Sequence, residues 1–113
     1  MQKTITFKRQ DQCSLVIPYQ LWREALRLAQ DRNWKPQGTL PPQPYPYQAP
    51  WDGAYEWAYG QTVRTEDACW LAHYLQRAIE SNSTLIIGEP RETLVGVAEF
   101  CRLGAFEIVA EVQ

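Results

Sequence analysis

The sequence predicts an α+β fold in which three helices pack on a small antiparallel sheet that includes both chain termini. Three observations carry that prediction. Apolar residues recur at helical spacing in three stretches, about 18–32, 65–80 and 90–103. The two ends alternate apolar and polar residues, at Ile5 and Phe7 and again at Phe106, Ile108, Ala110 and Val112. The ends also carry opposite charges, Lys3 and Lys8 against Glu107 and Glu111. Facing each other across an antiparallel ladder, such pairs contribute roughly 0.2–1 kcal/mol each. A length of 113 residues suits one globular domain over 1–113, without an internal repeat and with one continuous core.

Taken in order, Thr4–Phe7 reads as a strand with Ile5 and Phe7 inward, and Asp11–Gln12 as a turn. Leu15–Ile17 reads as a second extended piece. Pro18 suits the start of a helix that runs to about Arg32, with Leu21, Trp22, Ala25, Leu26, Leu28 and Ala29 on its apolar face. Arg27 and Asp31 are spaced as an i,i+4 ion pair, Asn33 is placed to end the helix in a left-handed conformation, and Trp34 follows as a hydrophobic plug.

The stretch of about 35–59 cannot be helix, because Pro36, Pro41, Pro42, Pro44, Pro46 and Pro50 interrupt it and favour extended polyproline geometry. Tyr45, Tyr47 and Trp51 are interleaved with those prolines. A turn at Asp52–Gly53 leads to Tyr55, Trp57 and Tyr59, which alternate as in a short strand. Gln61–Val63 is an extended step into the central helix. Thr65 is placed to cap that helix, and Glu66 and Asp67 suit the positive end of its dipole. Ala68, Leu71, Ala72, Leu75, Ala78 and Ile79 fill one face. Cys69, His73, Gln76, Arg77 and Glu80 fill the other, and Trp70 and Tyr74 lie one turn apart on the flank. Thr84–Ile87 is a strand or an apolar plug. Pro90 opens the third helix, whose stripe is Leu94, Val97, Ala98 and Cys101, and Gly104 ends it ahead of the last strand.

The composition narrows the function classes. The formal charge is −2 and the eleven cations are scattered, which argues against nucleic acid as a partner. No apolar run approaches the roughly 18 residues of a membrane span, and Met1–Arg9 lacks the layout of a secretory signal. Three widely spaced cysteines, Cys13, Cys69 and Cys101, fit reduced thiols and a cytoplasmic location. There is no phosphate-binding loop, dinucleotide glycine fingerprint or nucleophile elbow, and no cofactor or metal is assigned.

Several residues resemble the opening of a group of small uncharacterised bacterial proteins: Leu21-Trp22, Leu26, Leu28-Ala29, Asn33-Trp34, Pro36 and Gly38-Thr39. The resemblance continues through Trp51, Gly53, Gly60-Gln61, Val63 and Asp67-Ala68 to Phe100-Cys101, Gly104 and Phe106. It spans about Leu21 to Ile108 and departs at Asn33, where the group has glycine. It implies one domain and brings no activity with it.

Two functions follow as expectations. The first is a non-catalytic binding or regulatory module that holds a protein partner or a second copy of itself. Its candidate binding residues are Tyr45, Tyr47, Trp51, Tyr55, Trp57, Trp70 and Tyr74, because Trp and Tyr supply large contact area with a polar handle. Pro41-Pro42-Gln43-Pro44 also fits a PxxP ligand. The alternative is a small enzyme, or a ligand- or metal-binding protein, built on Cys69 and His73. These lie four apart on one helix face, as a nucleophile and base or as two metal ligands would. Asp52 and Glu56 are the carboxylates nearest to an acid–base couple.

Overall fold

The structure, a computed structural model, describes residues 4–11, 13–42, 51–56, 60–81 and 89–110. In chain order the elements are strand β1 (Thr4–Lys8), strand β2 (Ser14–Pro18), helix α1 (Tyr19–Asp31), strand β3 (Gln61–Val63), helix α2 (Thr65–Ser81), helix α3 (Glu89–Arg102) and strand β4 (Phe106–Ala110). The strands form one antiparallel sheet in the order β2-β1-β4-β3. The two ends of the chain pair as their alternation predicts, with Phe7 opposite Ile108 and Lys8 opposite Glu107. The other pair expected across this ladder, Lys3 and Glu111, lies outside the described residues.

Period-two alternation places Ile5, Phe7, Ile17, Val63, Phe106 and Ile108 on one face of the sheet, all buried. The helices supply the facing layer through Trp22, Ala25, Leu26 and Ala29 of α1, Ala68, Leu71 and Leu75 of α2, and Leu94, Val97 and Cys101 of α3. Phe7 is the centre of this core: its ring meets Trp22 edge-on at 4.8 Å and Phe106 at 4.8 Å. Lys8, Val16 and Glu107 point the other way and are exposed.

The helix ends show how local chemistry sets direction. Asn33 takes a left-handed backbone, φ 74°. This lets its N–H reach Gln30 O at 3.0 Å and the Trp34 N–H reach Ala29 O at 3.0 Å. The pattern is a Schellman motif, closed by Trp34 packed inward, so Asn33 does here what glycine usually does. Arg27 pairs with Glu24, not with Asp31 as its spacing suggests. The capping role expected of Thr65 falls instead to position 64. The Arg64 carbonyl accepts the first helical bond, from the Ala68 N–H at 2.9 Å, and Thr65 is already in the first turn. Tyr55 and Glu56 lie in a bend instead of the expected strand. Residues 57–59 and the stretch 84–87 lie outside the described residues.

The β3 edge is extended by one residue. Leu40 bridges Thr62, with Leu40 N–H to Thr62 O at 2.8 Å and Thr62 N–H to Leu40 O at 3.1 Å. The prolines that follow Leu40 block further pairing there.

Candidate functional site

The start of α2 is the polar centre of the molecule. Asp67 is the third residue of that helix and is buried at 4% exposure. Its carboxylate accepts the Gln37 N–H at 3.0 and 3.1 Å, the Gly38 N–H at 3.2 Å and the Tyr55 hydroxyl at 2.5 Å. Its backbone carbonyl accepts the Trp34 indole N–H at 3.3 Å. One residue therefore ties the end of α1, the segment after it and the segment before β3 to the helix. A buried carboxylate is tolerated because donors satisfy it on several sides.

Tyr55 responds to the same surroundings. Burial raises its pKa above the ordinary phenol range, and the hydrogen bond and charge of Asp67 raise it further. The folded value thus lies above the unfolded value of about 10. The stabilisation is complete below that pH and is lost as pH climbs past it. In a phenolate absorbance titration of the native protein, Tyr55 should ionise only at the alkaline unfolding step. Tyr55→Phe should remove one tyrosine from that step, and an unchanged late step would show that Tyr55 ionises with the exposed rings.

The same chemistry pins the aromatic segment after the prolines. The Trp22 indole N–H reaches Tyr55 O at 2.6 Å, and Ala54 O accepts both Thr39 Oγ1 at 2.7 Å and Gln61 Nε2 at 3.2 Å. The Trp51 indole N–H reaches Thr39 O at 2.9 Å. Gly38 and Gly53 cross so closely that a Cβ on Gly53 would lie 3.1 Å from Gly38 Cα, and both glycines have positive φ. These contacts form a neck that holds Gly38 and Thr39 against residues 51–54. Of the candidate rings, Tyr55 is buried and Trp51 half-buried, each with its polar atom on the body. Tyr45, Tyr47 and Trp57 lie outside the described residues.

Trp70 and Tyr74 are arranged differently. Trp70 is 57% exposed and stacks on half-buried Tyr74, ring centroids 5.8 Å apart and planes 27° from parallel. His73 meets both rings edge-on, at 5.8 Å and 5.4 Å. Trp70 is the only aromatic among the exposed large hydrophobic residues described. The ledge overlooks a hollow of about 180 Å³, lined by Asn33, Trp34, Lys35, Asp67, Trp70 and Tyr74. Sequence reasoning missed Asn33 and Lys35 as neighbours of this ledge, because the reversal at Asn33 is what brings them beside α2.

Cys69 and His73 both face solvent. Among the described residues, no group of three or more His, Cys, Asp and Glu side chains is placed to hold a metal ion. Cys101 is buried in the helix layer; burial pushes its thiol pKa up, with a smaller push from Cys69. Asp52 accepts the Ala54 N–H at 3.0 Å in the turn that precedes Tyr55. A larger open trough of about 690 Å³ lies beside Lys8, Arg9, Thr62, Phe106 and Glu107. Its Arg9 is engaged by Asp11 at 2.7 Å and lies 5.1 Å from the Phe100 ring centroid, so that charge is already occupied.

These features define a two-layer α+β domain with an aromatic ledge on its central helix. No described helix is long and apolar enough to cross a membrane. No family model, curated protein or solved structure matches this chain.

Proposed function

We propose that the protein is a non-catalytic binding module that engages a protein partner or a second copy of itself through the Trp70–Tyr74 ledge, together with the proline and tyrosine residues that precede Trp51. The observation that carries this reading is the exposure of Trp70. A tryptophan more than half open to water, stacked on a tyrosine and beside a hollow, is the kind of anchor that dominates protein interfaces. Fixed ends at the Gly38–Gly53 neck support the second element, since a segment with anchored ends loses less freedom on binding. In this reading the module is cytoplasmic, with its three cysteines as free thiols. The bacterial origin implied by the sequence resemblance belongs to the same proposal.

The test is site-specific photocrosslinking in the source cell. A benzophenone side chain at His73 should give a protein adduct of defined mass, and the same group at Ser14, on the opposite layer, should not. Adding Trp70→Ala should reduce the His73 adduct at least about tenfold, equivalent to a loss of about 1.4 kcal/mol or more. No adduct at His73, or equal adducts at both positions, would reject the ledge as the contact surface.

A further inference from the structure

We propose that the hollow beside Trp70 receives an extended proline-rich segment, and that this segment is residues 41–50 of a second copy of the chain. The inference rests on the binding-module reading and names its ligand.

Hydrogen-bond accounting at the hollow selects the ligand chemistry. The Asp67 acceptors in its wall are already engaged. The Asp67 carboxylate takes Gln37, Gly38 and Tyr55, and the Asp67 carbonyl takes the Trp34 indole. Beside the Asn33 side-chain amide, which offers both donors and an acceptor, what remains is mostly donors: the Trp70 indole N–H, the Tyr74 hydroxyl and the Lys35 ammonium have no protein partner among the described residues. A wall of flat rings in which spare donors outnumber spare acceptors suits a ligand rich in carbonyls and poor in N–H groups. A proline-rich backbone is such a ligand, since each proline keeps its carbonyl and lacks the N–H. Polyproline geometry also turns those carbonyls outward and arrives with little conformational freedom left to lose, which is why aromatic grooves recognise it. The volume of about 180 Å³ equals roughly six waters at ~30 Å³ each, the scale of one or two ring-bearing residues.

The chain itself carries the matching sequence. Residues 41–50 read PPQPYPYQAP, with Pro41, Pro42, Pro44, Pro46 and Pro50 and no charged side chain. With no charge of its own, the segment meets no like-charge repulsion from a net-negative second copy. Tyr45 and Tyr47 offer rings to stack against Trp70 in the spaces between prolines. The residues on either side of the segment are fastened together at the neck, so both of its ends are held by the copy that donates it.

Two measurements test this. In the first, an acetylated and amidated peptide of residues 41–50 is added to isotope-labelled protein while the Trp70 indole N–H resonance is followed. A saturable shift is expected, weakened at least about tenfold when Pro44 and Pro46 of the peptide are replaced by Ala. In the second, full-length Trp70→Ala and a full-length Pro44→Ala, Pro46→Ala variant are sedimented alone and mixed. Each is expected to be monomeric alone and to form a mixed dimer together, because one keeps the segment and the other the hollow. Absence of any Trp70 shift at about 1 mM peptide, with His73 crosslinking intact, would overturn the inference and leave the binding-module reading standing. A shift produced by an acidic, proline-free peptide and not by residues 41–50 would overturn it in favour of a Lys35-directed anion. Peptide binding by a wild-type protein that stays monomeric at every concentration would overturn the second copy as the source.

Discussion

Trp22→Ala is expected to destabilise the fold by about 3–5 kcal/mol, the range for emptying a large aromatic site in a close-packed core. Three features put Trp22 at that end of the scale. It is fully buried, it meets Phe7 edge-on at 4.8 Å, and its indole N–H holds the Tyr55 carbonyl at 2.6 Å. Removing the ring leaves a cavity between α1 and the sheet and strands a buried acceptor. Domains of this size have about 5–15 kcal/mol in total, so the variant should be partly unfolded well below the wild-type midpoint. Urea unfolding followed by circular dichroism measures this. Trp22→Phe separates the two causes, because it retains most of the ring and loses the donor. Its expected cost is roughly 1–3 kcal/mol. A loss under about 1 kcal/mol for the alanine variant would show that the site collapses freely and that Trp22 does not hold the segment at Tyr55.

Asp67→Ala should cost roughly 2–4 kcal/mol, even though the residue lies on a helix end where acidic side chains are usually worth a few tenths. The reason is the number of partners left behind. Two backbone amides and the Tyr55 hydroxyl lose their acceptor at once, in a place largely closed to water. Asp67→Asn is a sharper probe. An amide keeps one acceptor oxygen but turns a donor toward groups that are themselves donors, so it should recover only part of the loss. Hydrogen exchange should locate the damage at Gln37 and Gly38, with the middle of α2 still protected. Equal loss of protection along all of α2 would mean that Asp67 supports the helix and not the segments crossing it.

The elements that were legible in the sequence are those written in a repeating apolar period. The three helices follow from spacing, and the pairing of the termini from alternation together with opposite charges at the two ends, because each element must bury one face and the faces fit together. The polar centre was harder to see. Asp67 reads as first-turn charge, yet it lies four residues before Leu71, on the buried side of α2. A carboxylate in register with an apolar stripe was the available signal that it faced inward. Its partners were out of reach, because Gln37 and Gly38 lie about thirty positions earlier and contribute backbone amides, which no side-chain pattern marks. The aromatic residues divided for a related reason. Trp51 and Tyr55 are identical in type to the rings of a contact surface, and only the contacts at Thr39 and Asp67 place them on the body. Trp70 could be placed on the flank of its helix from periodicity, but not its exposure, which depends on what the chain after Asn33 leaves uncovered.

The crossing of Gly38 and Gly53 has a corollary. Gly38–Thr39 and Trp51–Ala54 are fastened to each other by main-chain and indole hydrogen bonds, so the neck by itself imposes no wording between positions 42 and 51. Doubling the length of that passage would add only about 0.6 kcal/mol of closure entropy. Exchanging that passage should therefore alter specificity while the neck still closes, whereas a side chain at Gly53, 3.1 Å from Gly38 Cα, should not be accepted.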